Sequence, residues 1–414
     1  MSSNFKVYFP GLNGLRFFAA AAVIVTHVEL MKKYLGFNNA WINPETHILS
    51  YAADEIAKGN INPVQPVVAA AGPLGVIFFF VLSGFLITYL LFVEREKTGT
   101  IAVGKFYLRR IFRIWPLYFF IFGLGFFVLP HLDWFQVPNQ NQFLADNFWG
   151  NFLCYLFILP NLAVAIFGGM SVPNIGQSWS IGVEEQFYLV WPVIIKWFKK
   201  PLLAIFTVTI VLLLAKAVTL LLSRTFDYEW IGVLKRFLAM TKIECMTIGA
   251  LGAWLIYHKQ EKLLRLIHHP AAQVTAYLGV FGLIYFSPKM IQDAVHMVYG
   301  VLFLIIIMNV SGNARSLVKL ENKVMNLLGK ISYGIYMYHM MIVVFTIYLV
   351  SYMLNLDREV DRNIGLVGNV LIYSISIVLT IFVSWVSYEF FENRFIKKKA
   401  KFSKVVSGEA AREE

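Results

Sequence analysis

Gly75-Val-Ile-Phe-Phe-Phe-Val-Leu-Ser-Gly-Phe-Leu-Ile-Thr-Tyr-Leu-Leu-Phe-Val93 runs for 19 residues without a charge, and Glu94-Arg-Glu-Lys97 follows it directly. A helix needs about 20 apolar residues to cross the hydrocarbon core of a bilayer. This stretch therefore reads as a membrane span that ends in a basic loop. The pattern recurs along the chain, with apolar runs at 15–31, 111–129, 150–168, 181–198, 202–222, 243–257, 271–286, 292–310, 331–354 and 366–391. Of the 414 residues, 58% are hydrophobic and 14% charged, against roughly 25% charged in a typical soluble domain. That balance excludes a soluble globular protein, a disordered chain, a coiled coil and a nucleic-acid-binding domain. The class it leaves is an all-α polytopic membrane protein.

Basic residues sort the runs by side, because cytoplasmic loops carry the excess of Lys and Arg. Arg95, Lys97, Lys105, Arg109 and Arg110 place the loop 94–110 inside. Lys199 and Lys200 go inside, as do Lys259, Lys262 and Arg265, then Arg315, Lys319, Lys323 and Lys330, then the tail from Arg394 to Lys404. No Lys or Arg lies between Arg113 and Lys196. For the sides to alternate, the run 150–168 must be re-entrant or interfacial. Pro160 and Asn161 interrupt it, as a broken segment requires. The expectation is about ten transmembrane helices plus that one segment, both termini cytoplasmic, in a multi-pass cell membrane. The presumed outer loop 223–242 runs against this scheme, since it carries Arg224, Lys235, Arg236 and Lys242. Residues 1–396 read as one transmembrane domain and 397–414 as a solvated tail. The first apolar run lacks a small-residue cleavage site, so it does not read as a removable signal. Cys154 and Cys245 both sit in apolar runs and suggest neither a disulfide framework nor a zinc site.

Ionisable groups inside membrane helices are expensive and point to function. Arg16 and His27 are eleven residues apart, so they fall on one face of a helix about 16 Å apart along its axis. A pantetheine arm has a similar reach, so a phosphate could sit at Arg16 and a thioester at His27; a topology flank and a polar helix bridge are the plainer readings. Arg109, Arg110 and Arg113 share a face at i, i+3 and i+4. They suit phosphate oxygens and suit anionic lipid headgroups equally. Glu184 and Glu185 open the run 181–198, where the helix dipole favours acids; they also suit orienting a histidine or binding a sugar hydroxyl. Ser332, Tyr336 and His339 form a polar stripe on the run 331–354, for ligand contact or for helix packing. Ser83 and Gly84 stand near mid-membrane, where small residues signal close helix contact. Glu389 and Glu392, beside the basic tail, read as ion-pair partners. His258, His268 and His269 fall in a loop, and no metal is expected.

Five of these elements occur together and in order. They are Gly14-Leu-Arg16 with ten residues to His27, Phe79-Phe-Val-Leu-Ser-Gly-Phe85, Arg109-Arg-Ile-Phe-Arg-Ile-Trp-Pro116, Trp179-Ser-Ile-Gly-Val-Glu-Glu-Gln-Phe-Tyr188 and Ile331-Ser-Tyr-Gly-Ile-Tyr-Met-Tyr-His339. In this the chain resembles acyltransferase family 3 of membrane O-acyltransferases over nearly its whole length. The resemblance implies a ten-crossing bundle that takes an acyl group, commonly acetyl, from cytoplasmic acyl-CoA. The acceptor would be a hydroxyl of a cell-envelope or lipid-linked carbohydrate. Some members carry a further hydrolase-like domain, and this chain looks like a stand-alone version. Arg16, Arg109, Arg110 and Arg113 would then hold the CoA phosphates, with Ser83, Tyr336 and His339 along the donor. His27 would be the general base, oriented by Glu184 or Glu185, with an acyl-histidine as a variant path. Trp41, Trp134 and Trp149 in the outer loops suit carbohydrate or an interfacial belt. The rival class is a transporter or exporter with an intramembrane His/Glu proton relay, and a third is a structural membrane protein.

Overall fold

The computed structural model describes residues 5–37, 56, 62–169, 171–286, 294–356, 364–400, 402 and 405–407. After a short strand β1 (Phe5–Val7) come α1 (Leu12–Tyr34), α2 (Gln65–Thr98) and α3 (Val103–Phe127). Three short helices follow, α4 (Gln140–Asp146), α5 (Phe148–Leu156) and α6 (Pro160–Phe167). The chain continues with α7 (Trp179–Trp197), α8 (Pro201–Thr225), α9 (Glu229–Met240), α10 (Ile243–Tyr257), α11 (Glu261–Ile267), α12 (Pro270–Phe286) and α13 (Val295–Gly312). It closes with α14 (Lys323–Lys330), α15 (Ser332–Met353), α16 (Gly365–Ser387), a π-helical turn at Tyr388–Glu392, α17 (Asn393–Ala400) and strand β2 (Val405–Ser407). Among the described residues, 8 helical stretches are long and apolar enough to cross a membrane, and the 17 residues of α12 form a shorter apolar helix. The 19-residue α7 is long enough as well, although Glu184, Glu185 and Lys196 dilute its hydropathy. At 1.5 Å per residue, the 34 residues of α2 extend about 51 Å, whereas the 18 residues of α13 reach only about 27 Å.

The chain is apolar outside as well as inside, as a bilayer demands. Leu203, Phe206, Ile210, Val211, Leu214 and Leu221 of α8 are all exposed, which marks that helix as lipid-facing. The helices α1 and α15 are apolar on two sides and join two packed clusters. Leu12, Leu15, Ala19 and Val23 of α1 belong to the larger cluster, built round α2. Ala20, Ile24, Val28 and Met31 belong to a smaller one shared with α15 and α16. Phe79 packs against both clusters. Small residues let α2 meet α10 backbone to backbone: a Cβ on Gly84 would lie 1.9 Å from the Met246 carbonyl oxygen, and one on Gly249 would lie 2.0 Å from that of Val81. The close contact expected at Gly84 is thus present.

The run 150–168 is broken, as its proline implied. The 9 residues of α5 and the 8 of α6 are each far short of a span, and Ile158 between them takes a positive φ of 58°. The freed backbone finds partners in the protein. Tyr118 Oη donates to the Tyr155 carbonyl at 2.7 Å, and Arg236 Nε donates to the Ala165 carbonyl at 2.7 Å. Arg236 belongs to the anomalous basic stretch 223–242. That stretch is mostly the amphipathic helix α9, packed on the broken segment, so Arg236 is held by a carbonyl of the fold.

The expected solvated tail is partly docked. Val405–Ser407 pairs in parallel with Phe5–Val7, and Phe402 stacks on Phe112 with ring centroids 5.7 Å apart. The remaining tail residues lie outside the described set.

Candidate functional site

The motifs converge where α1, α2, α3, α7 and α15 meet. Arg16 opens α1, one turn after Asn13, and its Nη1 donates to Asn13 Oδ1 at 3.2 Å. Arg110 and Arg113 stand on the first turns of α3. All three arginines line one cavity of about 180 Å³, together with Ser83, Glu184, Tyr188 and Tyr336. Arg110 stacks between Phe106 and Tyr188, 5.5 Å from each ring centroid. Its Nε is buried without a hydrogen-bond partner among the described residues. A buried, unpaired guanidinium donor is costly and is what an anion would satisfy. Lys399, on α17, lies within electrostatic reach of Arg16, Arg109, Arg110 and Arg113, which makes this end of the bundle strongly cationic.

The motif at 177–188 is clamped to both neighbours. Tyr336 Oη donates to the Gln177 carbonyl at 2.9 Å and is bonded to Ser180 Oγ at 2.7 Å. Gln177 Nε2 donates to the Met337 carbonyl at 2.7 Å. One turn along α7, Tyr188 Oη donates to Glu184 Oε2 at 2.6 Å, and Ser83 is hydrogen-bonded to Tyr188. Trp115 Nε1 donates to Glu185 Oε2 at 3.0 Å.

His27, on α1, meets α15. Its Nδ1 lies 3.0 Å from His339 Nε2, and His339 Nδ1 lies 2.6 Å from the Tyr336 carbonyl oxygen. The two rings are 4.9 Å apart, and His339 is fully buried. Tyr336 therefore joins the two parts of the site: its side chain lines the cavity and its carbonyl holds His339.

Three expectations change. Glu184 and Glu185 were expected to orient His27, but their hydrogen bonds go to Tyr188, Ser83 and Trp115, whereas His27 meets His339 and the Val23 carbonyl. His339 was expected along the donor, yet it sits against His27. Arg109 was expected at the phosphates. It is engaged elsewhere, 2.7 Å from Glu94 Oε2 and 3.1 Å from the Phe402 carbonyl oxygen. Arg16, Arg110, Arg113, Ser83 and Tyr336 stand at the cavity as expected. Sequence reasoning missed Lys399 because it had placed that residue in a solvated tail. Glu392, read as an ion-pair partner of the basic tail, instead accepts from Ser387 Oγ at 3.1 Å. Among the outer tryptophans, Trp134 packs on Phe345 at 5.5 Å and Trp149 is exposed, while Trp41 lies outside the described residues. Among the described residues, no group of three His, Cys, Asp or Glu side chains could hold a metal ion.

Comparison with known proteins agrees with this convergence. The acyltransferase-domain family model matches residues 9–389. The chain is 26% identical to the O-acetyltransferase OatA of Staphylococcus aureus (strain NCTC 8325 / PS 47), over 95% of this chain and 58% of that protein. It is 30% identical to the peptidoglycan O-acetyltransferase OatA of Listeria monocytogenes, over 47% of this chain and 26% of that protein. The chain thus spans little more than half the length of the first of these relatives, 58%. No solved structure matches it. With five ordered motifs meeting round one cavity and a family match from residue 9 to residue 389, the chain belongs to acyltransferase family 3.

Proposed function

We propose that the protein is an integral membrane O-acetyltransferase that takes acetyl from acetyl-CoA at the cytoplasmic face and passes it to a sugar hydroxyl of the cell envelope. The observation that carries this reading is the cavity lined by Arg16, Arg110 and Arg113, whose wall residue Tyr336 leads to the His27–His339 pair. The relatives' names support acetyl as the group and, for one of them, peptidoglycan as the acceptor. The excess of Lys and Arg at the arginine end, read by the positive-inside rule, supports a cytoplasmic donor side with both termini there.

In this mechanism the guanidinium groups of Arg16, Arg110 and Arg113 bind the donor's phosphates by charge-assisted hydrogen bonds. Lys399 adds to the local positive charge. Arg16 to His27 covers about 16 Å along α1, enough for an extended pantetheine arm. His27 accepts the proton of the acceptor hydroxyl as that oxygen attacks the thioester carbonyl. The C–S bond breaks, and the imidazolium returns the proton to the leaving sulfur. Aromatic packing around Phe79 and Tyr336 excludes water, which protects the thioester from hydrolysis.

Purified protein given acetyl-CoA and soluble peptidoglycan glycan fragments should release free CoA and form base-labile acetyl esters. Arg113→Gln should weaken acetyl-CoA binding by roughly 10-fold to 100-fold, the worth of a hydrogen bond to a charged group. His27→Ala should keep donor binding and lose on the order of 10²–10⁴ in turnover. Full turnover by His27→Ala, or unchanged donor affinity in Arg113→Gln, would refute the corresponding assignment. If acetyl-CoA neither binds nor is consumed, the enzyme reading falls.

A further inference from the structure

The hydrogen-bond chain at His27 has a direction that can be read from one carbonyl. His339 Nδ1 stands 2.6 Å from the Tyr336 carbonyl oxygen. A carbonyl oxygen only accepts, so Nδ1 of His339 carries the hydrogen. The ring is fully buried, and its partners are the Tyr336 and Ile335 carbonyls and a second imidazole. A buried cation without a carboxylate partner would be expensive, so the ring is neutral. A neutral imidazole has a single N–H, which leaves His339 Nε2 a bare acceptor. That nitrogen faces His27 Nδ1 at 3.0 Å. The contact is a hydrogen bond only if His27 Nδ1 donates; the Val23 carbonyl also faces the His27 ring and can likewise only accept. His27 then holds its one hydrogen on Nδ1 and its lone pair on Nε2.

We infer that His339 is a positioning residue that, anchored on the Tyr336 carbonyl, selects the tautomer of His27 whose Nε2 is free to take the acceptor's proton. The inference rests on the reading of His27 as general base. In such a pair the partner of one ring nitrogen decides which nitrogen does the chemistry, a role that a carboxylate fills in Ser-His-Asp triads. Here a second imidazole fills it. The proton balance is closed. The acceptor O–H bond breaks and its proton moves to His27 Nε2, the oxygen forms the ester bond, the C–S bond breaks, and the proton passes from Nε2 to the departing sulfur. His339 exchanges no proton. Its Nε2 accepts a stronger, charge-assisted hydrogen bond while His27 is cationic, so its effect falls on turnover rather than on donor binding.

The test pairs kinetics with a direct reading of the tautomer. His339→Leu removes the acceptor; kcat should fall on the order of 10²-fold, with the KM for acetyl-CoA and the thermal stabilisation by acetyl-CoA unchanged. His339→Gln sets an amide oxygen near the position of Nε2 and should recover at least about tenfold of that loss. Nitrogen-15 NMR of histidine-labelled wild-type protein, with His27→Ala used to assign the signals, should show His27 protonated at Nδ1. His27 protonated at Nε2 instead, or wild-type kcat in His339→Leu beside an inactive His27→Ala, overturns the inference and leaves the base assignment standing. Full activity in His27→Ala removes the base assignment itself. If His339→Leu fails to fold, the wild-type NMR signal and His339→Gln still decide the matter.

Discussion

Neighbouring arginines on α3 meet different fates, and partners on other elements decide which. Arg109 is paired with Glu94, whose other oxygen accepts the backbone N–H of Ala102 at 3.0 Å. Arg110 keeps a buried donor unpaired among the described residues. Helical spacing made Arg109, Arg110 and Arg113 equivalent, because i, i+3 and i+4 say nothing of an acid on α2 or a carbonyl in the tail. Arg109→Gln should therefore lower thermal stability, by roughly 1–3 kcal/mol for the carboxylate left behind, and spare acetyl-CoA affinity. Arg110→Gln should do the reverse; thermal unfolding with and without acetyl-CoA separates the two. A second buried pair joins Glu29 and Lys32, both 1% exposed and 2.7 Å apart. Asn369 and Tyr373 complete its hydrogen bonds, each at 2.7 Å. Lys32→Met should destabilise the protein by roughly 3–5 kcal/mol, and Glu29→Gln added to it should restore part of the loss. The same melting curves measure this. Sequence spacing also related Arg16 to His27 along α1, but His339 as a partner of His27 depends on how α1 packs on α15, and no local pattern contains that.

The helices themselves were legible, because an uncharged apolar run of about 20 residues is long enough to span a bilayer and too long for an ordinary buried strand. Runs predicted at 243–257 and 331–354 fold as Ile243–Tyr257 and Ser332–Met353. Ends were less legible where helices continue past their apolar stretch: α2 starts at Gln65, ten residues before the apolar run at Gly75. Small residues such as Ala70 and Gly72 are buried there, Gly72 against Thr26 of α1, and hydropathy does not weigh that. The α2–α10 contact is the element most exposed to a single change. Gly249→Val would place a side chain 2.0 Å from the Val81 carbonyl oxygen, a distance no small shift relieves. The helices must part, and the variant should lose the monodisperse, cooperatively melting form in detergent. Gly123 has open space on its side-chain face, with nothing within 4 Å of an added Cβ. It should tolerate valine within about 0.5 kcal/mol of wild type, because valine is a slightly better helix former than glycine.

At the scale of the whole molecule, the broken α5–α6 segment sets the path of everything after it. If it does not cross, reporters fused after Asn151 and after Gly169 must report the same side; opposite sides would shift the register of all later spans. The spans also differ in reach, since the 18 residues of α13 extend only about 27 Å. A bilayer's oily layer averages about 30 Å, so lipids beside that helix have to compress. Mismatch of this kind costs a fraction of a kcal/mol per ångström. The protein should accordingly gather shorter-tailed lipids along one edge and hold itself at a fixed lean, an asymmetry in its surroundings that begins with one abbreviated rod.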